Sequence, residues 1–138
     1  MIEEPGGPAH VLELDRGLVC RVLVPDQYAR LGQILCEARV IEDHELRAAL
    51  EGPGHLGESL AKSGLIDKTT LQRALILQLL KRMERVFGFD PASRWSFASD
   101  RRPFRGMPAG VRIDTLRVLW AGLSAHPEMG SWLGATLS

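Results

Sequence analysis

The amino-acid sequence predicts an α+β fold that is mostly helical and forms a single domain over residues 1–138. Three observations support this expectation. Two β-branched and apolar runs flank a glycine turn near the N-terminus, which indicates a β-hairpin. A pattern of leucine, glycine and isoleucine recurs at an offset of 25 residues, which indicates two copies of a helical hairpin. Apolar residues three and four positions apart later in the chain indicate further helices.

The first predicted element is a β-hairpin over residues 10–24. Its two apolar runs are separated by Asp-Arg-Gly, and Gly17 can adopt the positive φ that a tight turn needs. An isolated hairpin is only marginally stable in water, so its apolar face must pack on the helices or on a sheet partner. Pro25 and Asp26 end the strand and predict a helix beginning near Gln27.

The next two elements are the copies of the repeat, predicted over residues 26–51 and 55–87. Each copy predicts a short helix that carries LGxxL, a turn, and a second helix that carries LxxAL. Neither hairpin can bury its apolar stripe alone, so we expect the two copies to pack about a pseudo-twofold axis as the core. The matched positions are Leu31 with Leu56, Gly32 with Gly57, Leu35 with Leu60, Ile41 with Ile66, Leu46 with Leu71, Ala49 with Ala74 and Leu50 with Leu75.

The turn inside each copy differs in sequence. In the second copy, Gly64 stands where the end of a helix favours a left-handed residue, and Asp67 is placed to cap the following helix. In the first copy, Arg39 occupies the position of Gly64. We therefore expect the first turn to differ or to carry about 1 kcal/mol of strain.

The C-terminal part predicts a short strand and more helix. The second helix of copy two continues to about Phe87, and alternating aromatic residues indicate a strand over residues 94–98 beside the hairpin. Asp114 can cap a helix, and Pro127 suits the first turn of a last one, so residues 113–137 are predicted as C-terminal helices. The face of the first of these helices carries Leu116, Leu119, Trp120 and Leu123.

These motifs resemble those of known families. The pattern RLGxxL, then ten residues, LxxxL and a glutamine resembles the N-terminal domain of type II secretion and type IV pilus assembly ATPases, where it occurs twice. The hairpin before the repeats, and the helix, Trp-Ser-Phe strand and further helix after them, are similar to the PATAN regulatory domains of bacterial signalling proteins. Together the resemblances cover most of residues 10–124.

In some of these ATPases the tandem domain binds cyclic di-GMP through motif residues. An arginine can stack on guanine and donate a fork of hydrogen bonds, while helix N-terminal amides face the phosphates. Here His55 replaces the second arginine, Pro53 replaces the first glutamine, and only Gly54 separates the motifs. Because each lost charged hydrogen bond weakens binding by about 1.5–3 kcal/mol, a cyclic di-GMP sensor is the alternative function. The residues that the resemblance implies for this site are Arg30, Leu31, Gly32, His55, Leu56, Gly57 and Gln78.

The resembled domain of the ATPases also docks on a membrane-protein partner or on neighbouring subunits, and PATAN domains are non-catalytic regulatory modules. The resemblance therefore implies a regulatory or protein-interaction module that docks a partner protein or a neighbouring domain of secretion or signalling machinery. We expect no cofactor, apart from the cyclic di-GMP of the alternative.

Composition limits the possible functions further. The 17 basic and 17 acidic side chains cancel, so no long-range field of one sign favours nucleic acid or an anionic membrane. The apolar runs are shorter than the ~20 residues of a spanning helix, and the N-terminus is acidic where a secretory signal is basic. We therefore expect a cytoplasmic protein without direct membrane insertion. Cys20 and Cys36 lack CxxC spacing, and both are expected as buried free thiols.

The sequence carries no motif complete enough to indicate catalysis or metal binding, so it predicts a protein that is not an enzyme. It contains no GxxxxGK[ST] phosphate loop. Gly52, Gly54 and Gly57 spell GxGxxG, but this run follows a predicted helix instead of a strand and includes Pro53. Ser59 lacks the second glycine of a nucleophile elbow. No paired ligand spacing occurs among His10, His44, His55 and His126.

Basic residues leave a nucleic-acid interface as a weaker hypothesis. A cluster of arginines around an aromatic residue can meet RNA, single-stranded DNA or an acidic protein surface, but the zero net charge favours a solvated loop. The helical hairpins also suggest DNA binding, although their second helices offer only Arg47 and Arg73 to phosphates. The cluster comprises Arg101, Arg102, Phe104, Arg105 and Arg112.

Overall fold

The computed structural model describes residues 1–25, 28–99 and 110–128. Within these ranges the protein is α+β, with five α-helices and a five-stranded antiparallel sheet, and it is about 47% helical. The predicted fold class is confirmed at this level.

The chain divides into two compact units. Unit 1 comprises Met1–Tyr28 and Leu79–Ser138, and unit 2 comprises Ala29–Gln78. The motif residues of both predicted repeats fall in unit 2, and the predicted hairpin falls in unit 1. The prediction of a single domain over residues 1–138 stays a prediction.

The helices begin and end close to the residues that the sequence indicates, with one exception. Helix α1 begins at Leu31 and not near Gln27, because Ala29 has a φ of 52°, which helical geometry does not allow. Asp26 and Gln27 themselves lie outside the described residues. The helices are α1 (Leu31–Glu37), α2 (Asp43–Glu51), α3 (Leu56–Lys62), α4 (Lys68–Phe87) and α5 (Thr115–Ala125).

The sheet lies in unit 1, and its strands follow the order β4-β1-β2-β3-β5. The central pair, β2 and β3, is the predicted hairpin, now bounded by Ala9 and Leu23. Arg16 and Gly17 at its turn have φ values of 51° and 81°, a left-handed pair that matches the twist of the strands. The strands are β1 (Ile2–Glu3), β2 (Ala9–Asp15), β3 (Leu18–Leu23), β4 (Arg94–Trp95) and β5 (Ile113–Asp114).

The three short strands differ from the sequence prediction. The strand expected over 94–98 is only Arg94–Trp95, and it pairs with β1 instead of the hairpin. Strands β1 and β5 were not predicted at all. A strand of two residues is too short to show alternation, so its pairing depends on which neighbour lies beside it.

A buried histidine joins several elements of unit 1. His10 on β2 is 1% exposed, and its Nε2 lies 3.0 Å from Oε1 of Glu4. Its ring stacks at a tilt on Phe89, with the centroids 4.3 Å apart. Arg85 lies 3.7 Å from the same Glu4 oxygen and 5.1 Å above the Phe89 ring. This cluster links the N-terminal segment to the end of α4.

Helix α5 is capped as predicted. The side of this helix that is buried is not the side that carries its large apolar residues. Asp114 Oδ1 accepts a hydrogen bond of 2.8 Å from the backbone N–H of Leu116. The buried side of the helix presents Val118 and Gly122, and the ring of Phe87 contacts Gly122 closely enough to exclude a side chain there. The last predicted helix lies outside the described residues from position 129 onward.

Unit 2 contains α1, α2, α3 and the first part of α4 around one hydrophobic core, to which both copies of the repeat contribute. Leu35 and Leu60, at matching positions, are 1% and 0% exposed. The predicted burial is therefore confirmed for this pair, whereas Leu50, at another matched position, is 62% exposed. The core comprises Ala29, Ile34, Leu35, Ile41, Leu60, Ile66 and Ala74, with Leu31, Cys36, Leu46, Ala49, Leu56 and Leu71 packed against it.

The two copies also match in backbone conformation. Arg39 and Gly64 both adopt the left-handed region, with φ values of 54° and 75°. The N–H of Ala38 donates to the carbonyl of Ile34, and the N–H of Ser63 donates to that of Ser59, each at 3.0 Å. The two turns share these features but differ in one bond, since the N–H of Val40 donates to the carbonyl of Leu35 at 2.9 Å, whereas in the second copy the N–H of Ile66 donates to that of Leu60 at 3.4 Å. Arg39 also adopts the left-handed conformation for which the sequence led us to expect strain.

Candidate functional site

The residues implied for cyclic di-GMP all lie in unit 2, and four of them have packing roles there. Leu31 and Leu56 pack against the core. A Cβ on Gly32 would lie 2.6 Å from Cδ1 of Leu46, so this glycine allows close contact between α1 and α2. A Cβ on Gly57 would lie 3.0 Å from Cδ1 of Leu71 in the second copy.

The polar members of this set are placed differently from one another. Gln78 donates through Nε2 to the backbone carbonyl of Ala29 at 2.9 Å, so its amide holds the segment before α1. Arg30 and His55 are the N-caps of α1 and α3, and both are exposed without a side-chain capping bond. Of the seven implied residues, Arg30 and His55 are therefore the two whose exposed polar side chains can reach a ligand.

An open concavity lies where α1 ends and α2 begins. Sequence reasoning did not single it out, although Arg47 was considered for DNA contact. The signal that could have found it is the repeat itself, because most of the lining residues differ from their counterparts in the second copy. The lining comprises Cys36, Arg39, Ile41, Glu42, Asp43, His44 and Arg47.

The carboxylates of this concavity already have partners. Glu42 and Glu45 form a capping box, in which Oε2 of Glu45 accepts a bond of 2.8 Å from the N–H of Glu42. Glu42 Oε2 also lies 3.2 Å from Nδ1 of His44. Asp43 accepts a hydrogen bond from the thiol of Cys36.

The thiol of Cys36 is not activated for chemistry. Desolvation by burial raises its pKa, and the hydrogen bond to Asp43 and the negative charge of that residue add to the effect. Burial likewise raises the pKa of Cys20, which lies in the sheet of unit 1. The thiolate is the nucleophilic form of cysteine, so a reactive cysteine has a lowered pKa. The pKa of neither Cys20 nor Cys36 is lowered. Both are free thiols as predicted, but Cys36 is only partly buried.

The outer face of α5 presents large apolar side chains to solvent. Leu116 is 75% exposed, Trp120 is 76% exposed, and Leu119 between them is 39% exposed. They share one helix face, as the spacing predicted, but this face does not contribute to the core. We call these three residues the α5 stripe.

The remaining sequence candidates do not form a site in the described part of the chain. Gly52, Gly54 and Gly57 lie in and after the loop between α2 and α3, which confirms that no strand precedes them. Arg112 pairs with Asp15 at 2.8 Å, and the other members of the arginine cluster lie outside the described residues. Among residues 1–25, 28–99 and 110–128, no three His, Cys, Asp or Glu side chains are grouped to hold a metal ion.

Across the same described ranges, none of the helices has both the length and the apolar composition that crossing a membrane requires. Comparison of the chain with protein-family models, with curated proteins and with solved structures found no match.

Proposed function

We propose that this chain is a non-catalytic interaction module that docks a partner polypeptide through the α5 stripe. The observation that carries the proposal is the exposure of Leu116 and Trp120, at 75% and 76%, on one face of α5. Burying a large apolar side chain contributes roughly 1.5–3 kcal/mol, and tryptophan is enriched among residues that dominate binding energy. A contact of this kind needs no fixed polar atoms.

The chemistry of α5 specifies what the partner presents. The helix carries no acidic residue, and its one charged side chain, Arg117, is exposed beside the stripe. An apolar helix flanked by an acidic residue complements such a surface, because the apolar contact supplies affinity and the charge sets register. By the resemblance of the repeats, the partner belongs to secretion or signalling machinery.

Unit 2 then acts as a scaffold. We infer that its two helical hairpins are related by a pseudo-twofold axis. The matched left-handed residues Arg39 and Gly64, and the matched glycine contacts to Leu46 and Leu71, support this arrangement. A rigid paired core suits a module that presents surfaces and does not reshape a substrate.

Site-specific photo-crosslinking in the native host tests the docking proposal. A photoreactive amino acid at position 116 should give a discrete covalent adduct with one protein, and Trp120→Glu in the same chain should abolish it. The matched control is the same photoreactive residue at Gln72, an exposed helical position in unit 2. An adduct of equal yield from position 72, or one that survives Trp120→Glu, would contradict docking through the stripe.

Cyclic di-GMP binding is the second candidate, favoured by the exposed and equivalent positions of Arg30 and His55. A ligand that binds only the folded state raises its melting temperature, and the shift grows with the logarithm of ligand concentration above the dissociation constant. Clear stabilisation by cyclic di-GMP, lost in Arg30→Ala, would reverse the order of the two proposals. We expect no shift, because one of the two arginines and one of the two glutamines of the motif pair are replaced.

A further inference from the structure

The backbone at Arg39 suggests a role for its side chain that folding does not require. Arg39 has a φ of 54°, and glycine is the residue that adopts this conformation without strain. The same turn in the second copy has glycine at the matching position, Gly64. Strained residues that persist in a fold are often found at functional sites, where the strain is compensated by what the side chain does.

The second copy serves as an internal reference for the concavity of the first. The backbones agree at the left-handed residue, since the N–H of Arg39 donates to the carbonyl of Cys36 at 2.9 Å and the N–H of Gly64 donates to that of Ala61 at 3.2 Å. The fold therefore accepts small or neutral side chains at these positions. Arg39 corresponds to Gly64, Arg47 to Gln72, Cys36 to Ala61 and His44 to Thr69.

The concavity contains two guanidinium groups, those of Arg39 and Arg47. Glu42 and Asp43 already accept bonds from the backbone, from His44 and from Cys36. Arg39 and Arg47 are exposed, and the guanidinium of neither makes a hydrogen bond or an ion pair with another residue in the described ranges. The concavity thus holds two guanidinium donors that no side chain of its lining engages.

We propose that Arg39 and Arg47 bind a carboxylate side chain of an acidic segment in a partner polypeptide. A guanidinium donates two parallel N–H bonds that match the geometry of a carboxylate. The fixed negative charges of Glu42 and Asp43 repel a phosphate more strongly than a carboxylate, because the phosphate carries nearly twice the charge. The site therefore suits a singly charged acid, and it lies apart in sequence from the α5 stripe.

Variants that copy the second repeat test the proposal without disturbing the turn. Arg39→Gly and Arg47→Gln place the residues of Gly64 and Gln72 in the first copy. Arg73→Gln on α4 makes the same chemical change as Arg47→Gln at another exposed site of unit 2, and is the matched control. Melting temperatures check the fold, and Arg39→Gly should melt at the wild-type temperature or above it, because glycine relieves the strain.

The probe is a helical peptide with glutamates along one face, compared with its isosteric glutamine version. In NMR spectra of the full-length, isotope-labelled chain, titration with the glutamate peptide should change amide chemical shifts in a saturable way. These changes should be confined to the end of α1 and the start of α2. Each arginine variant should raise the dissociation constant of the glutamate peptide by about tenfold or more, since a charged hydrogen-bond pair is lost. Arg73→Gln should bind as the wild type does.

Three results would overturn the assignment. One is equal binding of the glutamate and glutamine peptides, or no saturable shift with either. Another is unchanged affinity in Arg39→Gly and Arg47→Gln. The third is a stronger response of the same amides to inorganic phosphate or cyclic di-GMP than to the glutamate peptide. Trp120→Glu should leave the peptide titration unchanged, so failure here and failure of the docking proposal are separable.

Discussion

Gly32 and Gly57 lie at matching positions in the two repeats but tolerate a side chain differently. A Cβ on Gly32 would meet both methyl groups of Leu46, at 2.6 and 3.0 Å, whereas the nearest atom to a Cβ on Gly57 is Cδ1 of Leu71, at 3.0 Å. Gly32 is buried and Gly57 is only partly so. The close contact between helices is therefore more demanding in the first repeat.

We expect Gly32→Ala to lower the free energy of unfolding more than Gly57→Ala does. Overpacking a core costs roughly 1–3 kcal/mol, while alanine gains up to about 1 kcal/mol over glycine in helix propensity. The two effects nearly cancel at Gly57, and overpacking dominates at Gly32. Urea unfolding of the two variants measures the difference; a Gly32→Ala protein as stable as the wild type would show that Leu46 moves aside freely.

At the scale of elements, side-chain caps determine where several helices begin. The N–H of Thr70 in α4 donates to Oδ1 of Asp67 at 2.8 Å, and Asp114 caps α5 in the same manner. Helices α1 and α3 lack such bonds and depend on packing instead. Caps that involve carboxylates make the stability of an element depend on pH.

Asp67 provides a test of this dependence. The hydrogen bond from the backbone N–H of Thr70 lowers the pKa of Asp67, and its bond with the Thr70 hydroxyl acts in the same direction. Stability from a lowered pKa is present above the unfolded value, about 3.9, and is lost as the pH falls through the lower folded value. We expect Asp67→Ala to unfold more easily than the wild type at neutral pH, and this difference to shrink in acid.

Chemical unfolding between about pH 7 and pH 2.5 measures that difference. Asp67→Asn keeps an oxygen acceptor but does not titrate, so its stability relative to Asp67→Ala should stay constant over the range. A difference between wild type and Asp67→Ala that persists undiminished at the lowest pH would assign the effect to something other than the carboxylate.

At the scale of the whole molecule, charge is balanced while apolar surface remains exposed. The 17 basic and 17 acidic side chains give a formal net charge of zero and a sequence pI of about 6.9. Without net charge, molecules do not repel one another, and exposed side chains such as Phe97 and Trp120 favour association.

We therefore expect the solubility of the protein to pass through a minimum near neutral pH. Precipitation by polyethylene glycol across a pH series locates the minimum. The double variant Lys62→Glu and Lys68→Glu makes the chain acidic and should move the minimum to lower pH. A minimum that stays in place in the variant would show that apolar contact, and not charge, controls solubility.

Local interactions explain what the sequence alone determined. The hairpin turn at Gly17, the left-handed position of Gly64, and the caps Asp67 and Asp114 depend on residues a few positions apart, so pattern and residue type were enough. The repeat could also be predicted from the sequence, because buried positions such as Leu35 and Leu60 recur at a fixed offset.

Tertiary structure alone decided how the short strands pair, where the concavity lies and which face of α5 is exposed. Strands β1, β4 and β5 have two residues each, so their pairing comes from neighbours distant in sequence. The concavity with Arg39 and Arg47 exists because two helix ends meet there. Periodicity showed that Leu116 and Trp120 share a helix face, but the packing of Val118 and Gly122 turned that face to solvent. A pattern within one element specifies which residues lie together, whereas only the surrounding elements determine which side is covered.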